Sequence, residues 1–137
     1  MTEIPGQPDD EVVELATRLF GYARTGATKP LADYLAAGVP PNLTNKTGDT
    51  LIMLAAYHGH AETVRALLAA GADPDCPNDR GQTPLAGATF KGETEVVQAL
   101  VDGGADPTAG QPSAVDTARM FGQTKLLALF EQSPPSP

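Results

Sequence analysis

The chain has 137 residues with a formal net charge of −8, is 41% apolar, and has no Trp among an aromatic share of only 5%. That length allows one domain or one short array of repeats, with a core built from aliphatic side chains. The acidic balance argues against a broad grip on nucleic acid, and no apolar run approaches the roughly 18 residues of a membrane helix.

In chain order, residues 1–8 (MTEIPGQP) lack the basic start and apolar centre of a signal peptide and are predicted to be a disordered tail. The single cysteine, Cys76, rules out an internal disulfide framework, so the expected location is the cytoplasm. One domain is expected over 9–132. It opens on Asp9-Asp10-Glu11, acids suited to a helix N-terminus, and its first helix is long, ending near Thr25. Pro30 falls in the first turn of a second helix, where it is tolerated. Thr50 is placed to cap a nine-residue helix over 50–58, which Gly59 ends. A partner helix over 61–69 carries Val64, Leu67 and Leu68 on one face, and Gly71 terminates it. The stretch 72–80 is dense in turn formers and reads as a projecting loop or hairpin. Thr83-Pro84 then opens a helix running to Gly92, and another follows at 94–102. The tail 133–137 (SPPSP) is predicted to be disordered.

The glycines keep step through all of this. Gly26, Gly59 and Gly92 are 33 apart, as are Gly38, Gly71 and Gly104, and Gly48 and Gly81. Whole phrases travel with them: Gly71-Ala-Asp-Pro74 returns as Gly104-Ala-Asp-Pro107. Several markers on one period signal a repeat architecture. A helix pair this small cannot bury its own apolar stripe, but stacking on its neighbours can. Leu19, Ile52, Leu85 and Val115 form one column of equivalent positions, and Tyr34, Leu67, Leu100 and Phe130 a second.

With Gly-x-Thr-Pro-Leu-x-x-Ala at 81–88, Gly59-His60-x-Glu62 and Gly-Ala-Asp at 71–73, the chain resembles the ankyrin repeat over about residues 10–131. The resemblance implies an all-α solenoid of stacked helix-turn-helix pairs with projecting β-turn or hairpin loops. Four repeats are expected, at about 10–47, 48–80, 81–110 and 111–131, the last truncated. Gly92 and Gly122 are only 30 apart, which puts Ser113 where Thr83 stands and Asp116 where Ala86 stands. Glu131 then replaces Val101, as suits an end cap facing water. The family's usual histidine after Thr-Pro-Leu is Met53, Ala86 and Asp116 here, a departure expected to weaken hydrogen bonding between loops. Gly87, inside a helix, costs about 1 kcal/mol against Ala, so the third repeat is expected to be the softer one.

Catalytic and metal chemistry find little support. In His58-Gly59-His60 the two imidazoles face apart, and the resemblance gives His60 a structural role. Cys76 has no basic neighbour and aligns with Leu43 and Ala109, a small filler at the loop base. Asp73 and Asp106 are turn acids. No cofactor or metal is expected, and the protein is not expected to be an enzyme.

The resemblance implies binding to other proteins through loop tips and the exposed face of the first helices. The residues preceding each first-helix glycine are Arg24-Thr25, Tyr57-His58, Phe90-Lys91 and Met120-Phe121, which stacking should align into a ladder on the concave side. At the loop tips stand Lys46, Thr47 and Asp49, then Asp79, Arg80 and Gln82. Tyr57, Phe90, Met120 and Phe121 are large apolar side chains that the core does not need, and such types are enriched at interface centres. Four cations stand here against two carboxylates, in a chain that is acidic elsewhere, which favours a partner with an acidic or mixed face. Phe121 has a competing place, folded onto the terminal cap. The expected function is a non-catalytic protein-binding module, an adaptor or inhibitor, monomeric and not acting on nucleic acid or membrane. Self-association as a homodimer is the alternative. A small-molecule or metal-dependent enzyme using His58, Asp49 and Asp79 ranks last.

Overall fold

The computed structural model describes residues 10–132. Both tails expected to be disordered, and residue 9, lie outside the described residues. Eight helices follow in order: α1 (Asp10–Thr25), α2 (Thr28–Ala36), α3 (Leu51–Tyr57), α4 (Ala61–Ala69), α5 (Pro84–Lys91), α6 (Thr94–Asp102), α7 (Ala114–Met120) and α8 (Thr124–Gln132). Each odd helix packs on the even helix after it, and the pairs stack: α1 on α3 on α5 on α7, with α2, α4, α6 and α8 forming the second layer. This is the expected all-α solenoid. Among the described residues no strand forms, and the hairpin character of the loops is reduced to one antiparallel bridge between Thr44 and Thr50.

Local chemistry sets the helix ends. Thr50, Thr83 and Ser113 each accept a hydrogen bond from the third residue on, Met53 N (3.1 Å), Ala86 N (3.2 Å) and Asp116 N (3.1 Å). Such a cap is worth about 1 kcal/mol. Ser113 therefore does the work of Thr83 despite the shortened step before it. Because Thr50 stays outside as cap and His58 closes the far end, α3 has seven residues rather than nine.

The even helices have no side-chain cap at Ala27, His60 or Glu93. After the first pair, the side chain at that position instead reaches back to the preceding pair. His60 Nε2 lies 2.9 Å from the Arg24 carbonyl, and Gln123 Nε2 donates to the Thr89 carbonyl at 2.7 Å. This explains the glycines opposite: a Cβ on Gly26 would lie 2.5 Å from the His60 ring, and one on Gly59 would lie 2.8 Å from the Glu93 carboxylate. His60 is thus a structural link between the first two helix pairs.

The expected columns are the core. Leu19, Ile52, Leu85, Leu67 and Leu100 are fully buried, and Phe130 nearly so, while Val115 and Tyr34, on the outer pairs, are partly covered. Burying such a side chain is worth roughly 1.5–3 kcal/mol. Between the first two pairs the core admits one polar contact, the Thr28 and Thr63 hydroxyls 2.6 Å apart.

The loops are tied edge to edge. Buried Asn78 organises its own turn by accepting from Arg80 N and Gln82 N, both at 3.0 Å. Its amide then donates to Asp49 Oδ1 of the preceding loop at 2.8 Å, and to Gln82 Oε1 at 2.9 Å. Backbone bonds run alongside, from Asp79 N to Thr47 O (3.1 Å) and from Gln111 N to Gly81 O (3.0 Å). Below them, Asp73 N donates to Asn42 Oδ1 and Asp106 N to Asp75 Oδ1, both at 2.8 Å. Where the family's histidine is missing, these bonds join the loops.

Candidate functional site

The exposed faces of α3, α5 and α7 enclose a groove of about 320 Å³. Gln82 and Pro112 bound it at the loop end, Phe90 and Phe121 at the other. Tyr57 and Met53 form one wall, Met120 and Thr117 the opposite one, and Ala86 and Gly87 the floor. Helical spacing produces this arrangement: 86, 87 and 90 share one face of α5, as 53 and 57 share one face of α3. Most of the lining is apolar.

The four apolar members of the ladder are all exposed: Tyr57 at 39%, Phe90 at 57%, Met120 at 69% and Phe121 at 54%. Phe121 does not fold beneath the cap; its ring meets the edge of Phe90 with centroids 5.6 Å apart. Contacts within the ladder run diagonally. The first residue of one pair touches the second residue of the next: Phe90 with Phe121, and Tyr57 with Lys91, whose Nζ sits 5.0 Å above the phenol ring. His58 also packs edge-on against Tyr57, at 5.5 Å. Partial burial lowers the His58 pKa, and the charges of Arg24, then His60 and Lys91, push the same way. Lys91 thus sets a cation against the Tyr57 wall.

The loop-tip candidates divide. Lys46, Asp79 and Arg80 are exposed. Asp49 and Gln82 are half-buried and hydrogen-bonded to Asn78, while the Thr47 hydroxyl lies 2.8 Å from Asp49 Oδ2. Arg24 and Thr25 are exposed at the end of α1, with the Thr25 hydroxyl bonded back to the Gly21 carbonyl at 2.8 Å. The three side chains that a catalytic site would have to unite are not brought together. Asp49 precedes the cap Thr50 of α3 and His58 closes its far end, so the helix, roughly 12 Å from cap to cap at 1.5 Å per residue, stands between them. Among the described residues no three His, Cys, Asp or Glu side chains group as a metal site requires. Cys76 is half-buried, with its thiol toward the Pro77 carbonyl.

Sequence reasoning missed Met53, Ala86, Gly87, Pro112 and Thr117 as groove residues. Gly87 carried a signal, a glycine in a helix interior where propensity is poorest, but the sequence reading took it as softness alone.

A family model for ankyrin repeats, in three copies, matches residues 19–111, more than half of the chain. A Pseudomonas aeruginosa protein named for its ankyrin repeats is 50% identical over 66 residues. The match covers 47% of this chain and 39% of that protein, so the chain spans about two fifths of the length of this relative. Among the described residues no helix is long and apolar enough to cross a membrane.

Proposed function

The chain belongs to the ankyrin-repeat family, and on that premise we propose that it is a non-catalytic binding module, an adaptor or inhibitor, whose partner protein docks in the groove and against the adjoining loop tips. Ankyrin repeats are in general protein–protein interaction modules. The observation that carries the reading for this chain is the groove itself: four large apolar side chains stand exposed in line on a rigid stack that does not need them for its core. Lys91 lies beside them, which supports a partner with an acidic or mixed face. A cytoplasmic location belongs to the same proposal and rests on the single cysteine.

The test is affinity capture from the native host with wild type and with Tyr57→Ala/Phe90→Ala. The double variant is expected to lose the partner that wild type retains; identical recoveries overturn the reading. A second reading, self-association, draws on Val12 and Val13, which are 58% and 45% exposed on α1. Light scattering separates the two. A single species near 14.2 kDa is expected, and a mass twice that favours the homodimer.

A further inference from the structure

We infer that the groove is a socket for one large aliphatic or aromatic side chain from a partner segment with acidic flanking residues, and that Gly87 is the residue that keeps the socket open. The inference rests on the protein-binding reading above and narrows it to a ligand chemistry.

Gly87 is the starting point because its backbone does not call for glycine. Its φ lies outside the left-handed region that Gly48, Gly59 and Gly92 occupy. A Cβ there would meet only Tyr57 Cδ1, at 3.6 Å, an ordinary contact. Alanine would therefore fit, and it is a far better helix former. What alanine would change is the groove, because Gly87 is part of its floor, between the Tyr57 wall and Phe90.

The space is small and its walls are apolar. A groove of about 320 Å³ corresponds to about ten waters at their share of liquid volume. Walls of Tyr57, Phe90, Met120 and Phe121 offer those waters few hydrogen bonds, so an apolar side chain that displaces them gains their release. One bulky residue and part of its neighbour fill such a space, and a whole helix does not.

Charge supplies the second half of the argument. Lys91 lies over the Tyr57 ring, and Arg24 and Lys91 both act on His58 beside it. Among the described residues Lys29 pairs with Asp33, whereas no such pair is formed by Lys91. In a chain of net charge −8, a cation such as Lys91 left unpaired beside an apolar socket is suited to a carboxylate brought by a ligand. A neutral apolar small molecule would use the walls and ignore these cations.

The experiment uses the full chain with 13C-labelled methionine methyl groups. Met53 and Met120 line the groove. The probes are blocked peptides: Glu-Asp-Leu-Asp-Glu, the same with a central Ala, and versions with Gly or Lys in place of the acids. The acidic leucine peptide is expected to shift Met53 and Met120 saturably, with every other probe about tenfold weaker or worse. Lys91→Glu should abolish the preference for acidic flanks. Gly87→Ala should weaken binding severalfold while raising the melting temperature, a combination that loss of folding cannot produce. Equal binding of the Leu and Ala peptides, or of acidic and neutral flanks, overturns the proposal, as does unchanged affinity in Gly87→Ala. The outcome is separable from that of the broader reading. Should the ladder double variant lose its captured partner while the peptides show no preference, protein binding stands and the socket falls.

Discussion

The loop edge and the groove are made by the same two junctions, α3 with α5 and α5 with α7, yet they treat side chains in opposite ways. Along the loop edge the polar groups that turn inward find partners in the neighbouring loop: Asn78 with Asp49, Asp75 with Asp106 N, Asn42 with Asp73 N. Along the groove, large apolar and cationic side chains face outward, touching one another and little else. The first arrangement holds the stack in register. The second does not, so what it contributes is sought outside the chain. Residues at the two places should therefore fail differently when changed.

The largest effect is expected at Gly48, on the loop edge. With φ at +79° and the Asp79 backbone nitrogen 2.9 Å from where a Cβ would stand, Gly48→Ala should lose about 2–4 kcal/mol. A urea midpoint equal to wild type would break the comparison at once. Asn78→Ala comes next, at about 2–3 kcal/mol, since it strands two backbone donors and takes the donor from Asp49 Oδ1. Asn78→Asp keeps the two accepted bonds but sets a carboxylate against Asp49, so its deficit should shrink as pH falls through the carboxylate range.

Changes in the groove should be far milder. Phe90→Ala and Tyr57→Ala should each cost about 1 kcal/mol or less, the scale of one exposed aromatic contact. Thermal melts that show either variant unfolding early would make these residues structural and remove the contrast.

The smallest effect returns to the loop base and has the opposite sign. Burial raises the Asp75 pKa more than the bond from Asp106 N lowers it, and the charges of Asp73 and Asp106 add to the rise. Asp75 ionisation therefore opposes folding at neutral pH. The stability tied to its protonated form is complete below the unfolded-state pKa and lost as pH rises through the higher folded value. Asn42 makes the equivalent bond without a charge, so Asp75→Asn should stabilise by ~0.2–1 kcal/mol after solvent screening, and only above that window. Melts at neutral and acid pH, compared with wild type, check both the sign and the window. Asp106 moves the other way, its carboxylate held low by the Thr108 hydroxyl and N–H, so the difference at the single site is the quantity to read.

How far the sequence reaches follows the same division. Helices α4 and α6 fall on the residues expected, 61–69 and 94–102, because glycines at a fixed step mark where each turn must reverse. The Ser113 cap was legible for the same reason. Position within one repeat is local chemistry, and local chemistry is written in the chain. Which side chain meets which across a junction depends on the offset between adjacent pairs, and no residue spells that out. Thus the ladder pairs were aligned in the sequence as rungs, Tyr57 with Phe90, whereas the contacts run from Tyr57 to Lys91 and from Phe90 to Phe121. Asn78, hidden in a turn-rich stretch, gave no hint that it would bind two loops together, and three of the loop-tip candidates prove to be engaged in that network.

Each of these ties spans one boundary and none skips a layer: His60 reaches Arg24, Gln123 reaches Thr89, and the main helix contacts stop at the next pair. A column wired only between neighbours has no keystone. Drawn apart by its two ends, it should surrender layer by layer, each step set by its own boundary rather than by the strength of the whole.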